Sequence, residues 1–382
     1  MVYLDNAATT FPKPASVNRA VYRFLTDKAA NPGRSGHQLA MASSEEVYRC
    51  RKLAAEFFNA PGPECVAFTM NATMAINMAL KGRLTGGHVV TSNLEHNSVM
   101  RPLSRLAKLG VTFSTAQVDL ASDEQTLENI EKLIGRDTVM VACTHASNVC
   151  GRSLPIKQIG RLCKSRGIEF LLDASQSAGI LPIDMQNCCI DYLCMPGHKS
   201  LYGPMGTGML ITSKGETLET ITEGGTGSKS VSFDQPDFMP DRMESGTVNA
   251  PGIAGLRAGM NYVRKRGIDT IFREEMKLYL MAYDLLSELD GIRLYNPRPV
   301  QGYVPVLGFN IGEMPSEQAV IDLDHLGIAL RGGLHCSPAA HQAFGTLSQG
   351  MIRASFGAFN RREDVFALTD GVQKIMKRAK IL

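Results

Sequence analysis

Between about residues 64 and 212, short apolar runs alternate with segments of helical period, and this alternation limits the possible folds more than any other feature. The runs are 65–69, 88–91, 111–113, 138–142, 168–172, 190–193 and 208–211. Several are almost continuously apolar, as strands buried on both faces of a parallel sheet are. The intervening segments read as helices. In 123–134, Ser122 and Gln125 form a capping-box pattern, Leu127, Ile130, Leu133 and Ile134 share one face, and Gly135 follows as a stop. Strand–helix alternation of this kind predicts an α/β domain with a mostly parallel sheet, whose ligands sit beyond the carboxyl ends of the strands.

Residues 213–250 break the rhythm. Gly224, Gly225, Gly227, Pro236, Pro240 and Gly246 fall there without a sustained period, and so long a loop inside a domain is usually functional. Beyond it, Ile253, Leu256, Met260 and Val263 keep helical spacing, as do Val365, Leu368, Val372 and Ile375, with Asn360 and Glu363 as the cap of the last helix. A large domain over 15–250 and a smaller α+β domain over 251–382 are expected, in keeping with 382 residues.

Composition excludes several classes. Forty basic and 37 acidic residues leave a net charge of +3, too little for a nucleic-acid or membrane-surface footprint. The basic cluster from Lys374 to Lys380 reads as a solvated helix face. No run approaches the ~20 apolar residues needed to span a bilayer. The nine cysteines are irregularly spaced and odd in number, and no secretory signal precedes them, so free thiols in a reducing cytoplasm are expected.

The stretch from Asp173 to Tyr202 carries the most chemistry. A buried strand, Phe170-Leu171-Leu172, runs into Asp173, and Gln176 follows; Gly197-His198-Lys199 comes just past the next strand. An acid and a lysine at the ends of neighbouring strands suit pyridoxal 5′-phosphate, which forms a Schiff base with a lysine and needs a carboxylate at its ring nitrogen. The plain alternative is a turn-capping Asp173 and a surface Lys199. Asn71-Ala72-Thr73 opens a helix after a strand, either as a phosphate site or with Asn71 as an ordinary cap. His96, after another strand, is placed to stack on a flat ring or to serve the core alone. The glycine-rich runs 203–208 and 224–227 lack the Lys-Ser/Thr of a P-loop and open no helix, so dinucleotide binding is not supported.

As an ordered set, these residues resemble a known family. Tyr3-Leu4-Asp5-Asn6-Ala7-Ala8-Thr9, Asn71-Ala72-Thr73, Glu95-His96-Asn97, residues 144–148, Asp173-Ala174-Ser175-Gln176, Gly197-His198-Lys199, Glu244-Ser245-Gly246-Thr247, residues 331–336 and Ile352-Arg353-Ala354-Ser355 look like the class V aminotransferase group of pyridoxal-phosphate enzymes. Within that group they are most similar to cysteine desulfurases and selenocysteine lyases. The resemblance implies the type I fold, a seven-stranded mixed sheet between helices, with residues 1–14 joining the small domain, and a homodimer. It assigns Lys199 to the Schiff base, Asp173 to the ring nitrogen, His96 to stacking and Gln176 to the phenolic oxygen. Ala72, Thr73 and His198 are assigned to the phosphate, with Thr247 contributed by the neighbouring subunit. Asn148 and Arg353 are assigned to the substrate carboxylate, Arg353 as a two-pronged fork, and Arg331 lies nearby. Pro196 departs from the serine common in relatives, which leaves one phosphate contact to a loop Ser or Thr. Ser200 is an extra residue in the following turn.

Cys336 separates the subfamilies. It alone among the cysteines lies in a glycine-rich, basic setting, with Arg331, and His335 if protonated, favouring a thiolate. A zinc site at His335, Cys336 and His341, or at Cys188, Cys189 and Cys194, lacks paired CxxC spacing. The expected activity is conversion of L-cysteine to L-alanine with sulfur held as a persulfide on Cys336 and passed to an acceptor protein. Selenocysteine is a second candidate substrate. An aminotransferase that does not need Cys336, and a non-catalytic sulfur-trafficking protein, are the rivals.

Overall fold

The computed structural model describes residues 1–33, 36–299 and 301–379. The chain opens with β1 (Val2–Tyr3), α1 (Ala15–Asp27) and α2 (Gln38–Phe57). The alternating region follows as β2 (Val66–Thr69), α3 (Ala72–Arg83), β3 (His88–Ser92), α4 (Asn97–Ala107), β4 (Thr112–Ala116), α5 (Asp123–Glu131), β5 (Thr138–Thr144), α6 (Ile156–Arg166), β6 (Glu169–Asp173), β7 (Tyr192–Pro196) and β8 (Gly208–Ile211). Every apolar run named above is a strand. These strands form one seven-stranded sheet in the order β2-β8-β7-β6-β5-β3-β4. Only β8 runs against its neighbours, so the other six deliver their carboxyl ends to one edge. β5, β6 and β7 are buried almost throughout, which is why they read as unbroken apolar runs.

Ser122 caps α5 by accepting from the Gln125 N–H at 3.1 Å, as its pattern predicts. The helix nevertheless stops at Glu131. Leu133 and Ile134 continue in a turn and still pack on the core, so Gly135 lies beyond the end rather than at it. Residues 213–249 hold only one 3₁₀ turn, Gly215–Thr217. A buried ion pair fixes the return of this loop. Arg51 in α2 meets both carboxylate oxygens of Glu244, at 2.8 and 2.9 Å, and the Phe68 N–H donates to the same carboxylate at 2.6 Å.

The rest of the chain is α7 (Ala250–Arg266), α8 (Ile268–Ser287), β9 (Ile292–Leu294), β10 (Val306–Ile311), α9 (Ser316–Asp324), β11 (Ile328–Ala329), α10 (Pro338–Phe344), β12 (Ile352–Ser355) and α11 (Arg362–Arg378). α7 keeps the predicted helical spacing, but Ile253, Leu256 and Met260 pack into the core of the large sheet. The core of the smaller unit begins one helix later, with Leu278, Tyr279, Ala282 and Leu286 of α8 joining β10, β12 and α11. That smaller unit has an antiparallel sheet, β12-β10-β9, and a parallel pair, β1-β11. Leu4 is buried in the same core. The cap of α11 also differs from expectation: the Asp364 carboxylate, not Glu363, accepts from the Arg361 N–H at 3.0 Å, and Asn360 donates to Asp364. Lys374 and Lys377 are exposed; Lys380 lies outside the described residues.

Candidate active site

The parallel strands bring their carboxyl ends to a cavity of about 160 Å³, lined among others by Thr73, His96, Asn148, Asp173, His198 and Lys199. Larger hollows exist elsewhere. The one beneath the opposite sheet edge, about 590 Å³, is lined by Arg83, Glu169, Asp191 and Lys214, charges already paired with one another. The smaller cavity is where polar groups converge without such pairing, and we take it as the site.

α3 points its amino terminus at the cavity. Asn71 accepts from the Met74 N–H at 2.9 Å and so is an ordinary cap. The N–H groups of Ala72 and Thr73 in the first turn have no intrahelical acceptor. The cap is thus compatible with a phosphate site in the same turn. Gly208, the first residue of β8, packs so close that a side-chain carbon there would lie 2.9 Å from the Asn71 Cα. Thr73 Oγ1 and Ser98 Oγ lie 2.7 Å apart, and Ser98, like Pro196, lines the cavity.

At the ends of β6 and β7, Asp173 is 2% exposed and its carboxylate accepts from the Ser175 N–H at 2.9 Å. Burial and neighbouring Arg353 and Arg331 pull the Lys199 amine down to about 8, against the opposing pull of Asp173. Burial likewise lowers His198 to about 4, so its ring is neutral. The His198 Nδ1 is buried without a protein partner. His96 caps α4 through Nδ1, which accepts from the Ser98 N–H at 3.0 Å. That bond, with burial lowering the ring's pKa, keeps the imidazole neutral with its proton on Nε2. The preceding Glu95 is fully buried and pushed up to about 8 by burial; its Oε1 accepts from the Thr144 N–H at 2.9 Å, tying the ends of β3 and β5 together.

A strap formed by residues 3–13 supports the site from the other side. Asp5 pairs with Arg353 Nη2 at 2.7 Å, and the Ala7 carbonyl accepts from Gln176 Nε2 at 3.1 Å. Thr10 Oγ1 donates to the Lys199 carbonyl at 3.0 Å, while Lys13 Nζ donates to the His198 carbonyl at 2.5 Å and to Thr10 Oγ1. The turn containing Ser200 closes through the Tyr202 N–H to the Lys199 carbonyl at 2.7 Å, with Tyr202 in the left-handed region at φ 57°.

A family model described as Aminotransferase class-V matches residues 2–368. The chain belongs to that family. Among curated relatives in it, a probable cysteine desulfurase from Methanothermobacter thermautotrophicus is 35% identical, covering 98% of this chain and 94% of the relative. A cysteine desulfurase from Yersinia pseudotuberculosis is 33% identical over 99% of this chain and 94% of its own length. The structure is similar to that of a cysteine desulfurase from Thermococcus onnurineus, with a TM-score of 0.91 and 31% identity over 98% of this chain and 94% of the other. These proteins have the type I fold of pyridoxal-phosphate enzymes, and this chain shares it.

The family's cofactor suits the cavity on this structure's own terms. A buried carboxylate, a lysine of lowered pKa, a helix amino terminus and an unpartnered neutral histidine nitrogen face one space. The carboxylate suits a ring nitrogen, the lysine an aldehyde, and the helix terminus and histidine together a phosphate.

The two residues assigned to the substrate carboxylate are engaged differently from expectation. Arg353, 1% exposed, presents no open fork: Nη1 donates to the Asn148 carbonyl at 3.0 Å and Nη2 to Asp5, while Nε is buried without a partner. The Asn148 amide contacts the segment around Cys336. Arg331 pairs with Arg353 through the backbone and is close enough to depress the Lys199 pKa. Thr247 is exposed and, within its own chain, lies near Asn31 rather than in the cavity.

Cys336 is the one exposed cysteine, the other thiols being buried or, for Cys189, half-buried. Both His335 and Cys336 adopt left-handed backbone, at φ 49° and 57°, an uncommon state for residues with side chains. His335 cannot supply positive charge. Burial pushes its pKa down to about 2, and Nε2 lies 2.9 Å from the Met351 carbonyl, so Nε2 carries the one proton of a neutral ring. A sequence shows His335 beside Arg331 but not its burial. Asp5, Lys13, Glu95, Ser98 and Ser337 also serve the site without having been singled out; of these, Asp5 and Glu95 fall within the motifs quoted above.

Proposed function

We propose that the protein is a pyridoxal-phosphate-dependent cysteine desulfurase that converts L-cysteine to L-alanine and holds the sulfur as a persulfide on Cys336. The observation that carries this reading is one exposed, strained cysteine bonded to the frame of a cavity in which Asp173 and Lys199 converge. When bound, the cofactor supplies an electron sink for charge developing at the substrate Cα. Asp173 holds the ring nitrogen protonated, His96 covers the ring face, and Gln176 donates to the phenolic oxygen. Ala72, Thr73 and His198 bind the phosphate, with the Ser98 hydroxyl in place of the serine replaced by Pro196. Arg353 and Asn148 orient the substrate carboxylate, Arg353 exchanging Asp5 for it, and Arg331 adds positive charge.

With the cofactor bound, Lys199 would take the Cα proton; its lowered pKa makes the neutral amine accessible near neutral pH. Cys336, as thiolate, forms an S–S bond to the substrate sulfur while the substrate C–S bond breaks. Proton return completes alanine and leaves the persulfide for an acceptor protein. Selenocysteine fits the same groups.

The working unit in this reading is a homodimer to which each subunit lends Thr247. The solvent-facing Tyr22, Leu25, Leu39, Met41 and Tyr48 on α1 and α2, each more than half exposed, support it as an apolar surface awaiting a second copy. Free thiols throughout favour a reducing, cytoplasmic setting. Among the described residues no helix is long and apolar enough to cross a membrane.

Borohydride reduction and peptide mapping should label Lys199, and Cys336→Ser should retain that label while losing alanine release from cysteine. Full turnover by Cys336→Ser would favour an aminotransferase instead, and a label on another lysine would refute the assignment of Lys199.

A further inference from the structure

Asn148 spans the cysteine. Its Nδ2 donates to the His335 carbonyl at 2.7 Å, and its Oδ1 accepts from Ser337 Oγ at 2.8 Å. One amide therefore bonds the residues immediately before and after Cys336. The Asn97 N–H, next to His96, donates to the Cys336 carbonyl itself at 2.7 Å, and His335 is anchored to the Met351 carbonyl. Two further facts make this more than incidental packing. Ser337 stands at the cap position of α10, yet its side chain caps nothing; an N-terminal serine usually accepts from its own helix, and here its hydroxyl proton is committed to Asn148. The backbone held in this way is left-handed at both His335 and Cys336, a conformation that persists only when surrounding contacts impose it.

We propose that Asn148, acting with Ser337, is the positioning residue of Cys336, and that its amide registers the nucleophile against the substrate. A primary amide has two N–H groups. One is given to the His335 carbonyl; the other is unused by protein groups among the described residues, on a side chain that lines the cavity. A substrate carboxylate taking that second N–H is held by the same planar group that holds the cysteine's backbone. The separation between the two sulfurs is then set across one rigid amide, without any loop having to close. This coupling rests on the desulfurase reading above; the clamp itself does not.

The test uses the full-length holoenzyme and the variants Ser337→Ala and Ser337→Thr. Amide hydrogen exchange of the peptide spanning 333–340 should speed up about fivefold or more in Ser337→Ala, the factor expected for one lost hydrogen bond. Threonine, which keeps the hydroxyl, should restore it, and peptides from α8 should not change. With L-cysteine, kcat should fall about five- to tenfold in Ser337→Ala while KM stays within about twofold, since the nucleophile is loosened and the carboxylate site is left intact. Asn148→Gln, which shifts the amide by one methylene, should speed the same peptide and serves as the second probe should Ser337→Ala fold poorly. Unchanged exchange at 333–340 in both variants, or a loss confined to KM in Ser337→Ala, overturns the proposal. Exchange needs no turnover, so faster exchange in a protein inactive on cysteine would support the clamp and reject the desulfurase reading.

Discussion

Replacing Lys199 by methionine should stabilise the cofactor-free protein at neutral pH and should cease to do so in alkali. The buried site draws the amine from 10.5 to about 8, and each pKa unit corresponds to about 1.4 kcal/mol. Holding the ammonium in the folded chain at pH 7 therefore costs about 3 kcal/mol. Lys199 keeps some solvent exposure, and Asp173 would lose its counter-charge in the variant, so ~1–3 kcal/mol is the net expectation. Below pH 8 both folded and unfolded chains carry the proton, and the full cost is present. Between 8 and 10.5 the unfolded chain still holds a proton that the folded one has released, so wild-type stability gains on the variant as pH rises. Above 10.5 the difference is gone. The assay is urea unfolding of wild type and Lys199→Met, both stripped of cofactor, at pH 7 and pH 10.5; titrating groups that do not sense Lys199, Lys13 among them, are common to the two chains and cancel. A variant less stable than wild type at pH 7, or a gap indifferent to pH, would refute the argument.

Arg51→Met should destabilise the protein by roughly 3–5 kcal/mol, because it strands the buried Glu244 carboxylate, whereas Arg51→Met with Glu244→Leu should recover most of that loss; equal damage in both, by thermal unfolding, would mean the pair does not anchor the 213–249 loop. Since His335 is neutral well below physiological pH, the pH profile of Cys336 alkylation should show no inflection from it between pH 5 and 8. An inflection in that range that disappears in His335→Asn would restore the histidine as the source of thiolate-stabilising charge.

The strands of the large unit were legible as strands because segments buried on both faces read as near-continuous apolar runs, and β5, β6 and β7 are so buried; their order in the sheet was not. What periodicity cannot report is the partner of an apolar face. α7 carries the spacing of any amphipathic helix, and nothing in Ile253, Leu256 and Met260 tells a reader that they turn toward the large sheet rather than toward α8. The site divides in the same way. Asp173 and Lys199 are readable because a strand precedes each at a spacing the chemistry requires. His335 beside Cys336 reads as a source of charge until burial removes its proton, and burial is a tertiary property. Lys13 and Ser337 gave no signal: a lysine between prolines and a serine before a helix are ordinary loop residues until their distant partners are known.

The strap of residues 3–13 also bears on how the protein comes into being. Its contacts lie at Gln176, at His198 and Lys199, beside β11, and at Arg353 and Ser355. A ribosome working at ~5–20 residues per second takes roughly 20–70 seconds to travel from the strap to Ser355. Through that interval Leu4 has no core to enter and Asp5 no guanidinium to meet. The large sheet can assemble as it emerges, whereas the lysine loop and Arg353 come to share one brace only when the chain is nearly finished. Maturation of the site is thus coupled to completion of synthesis, and the earliest-made residues are among the last to find their places.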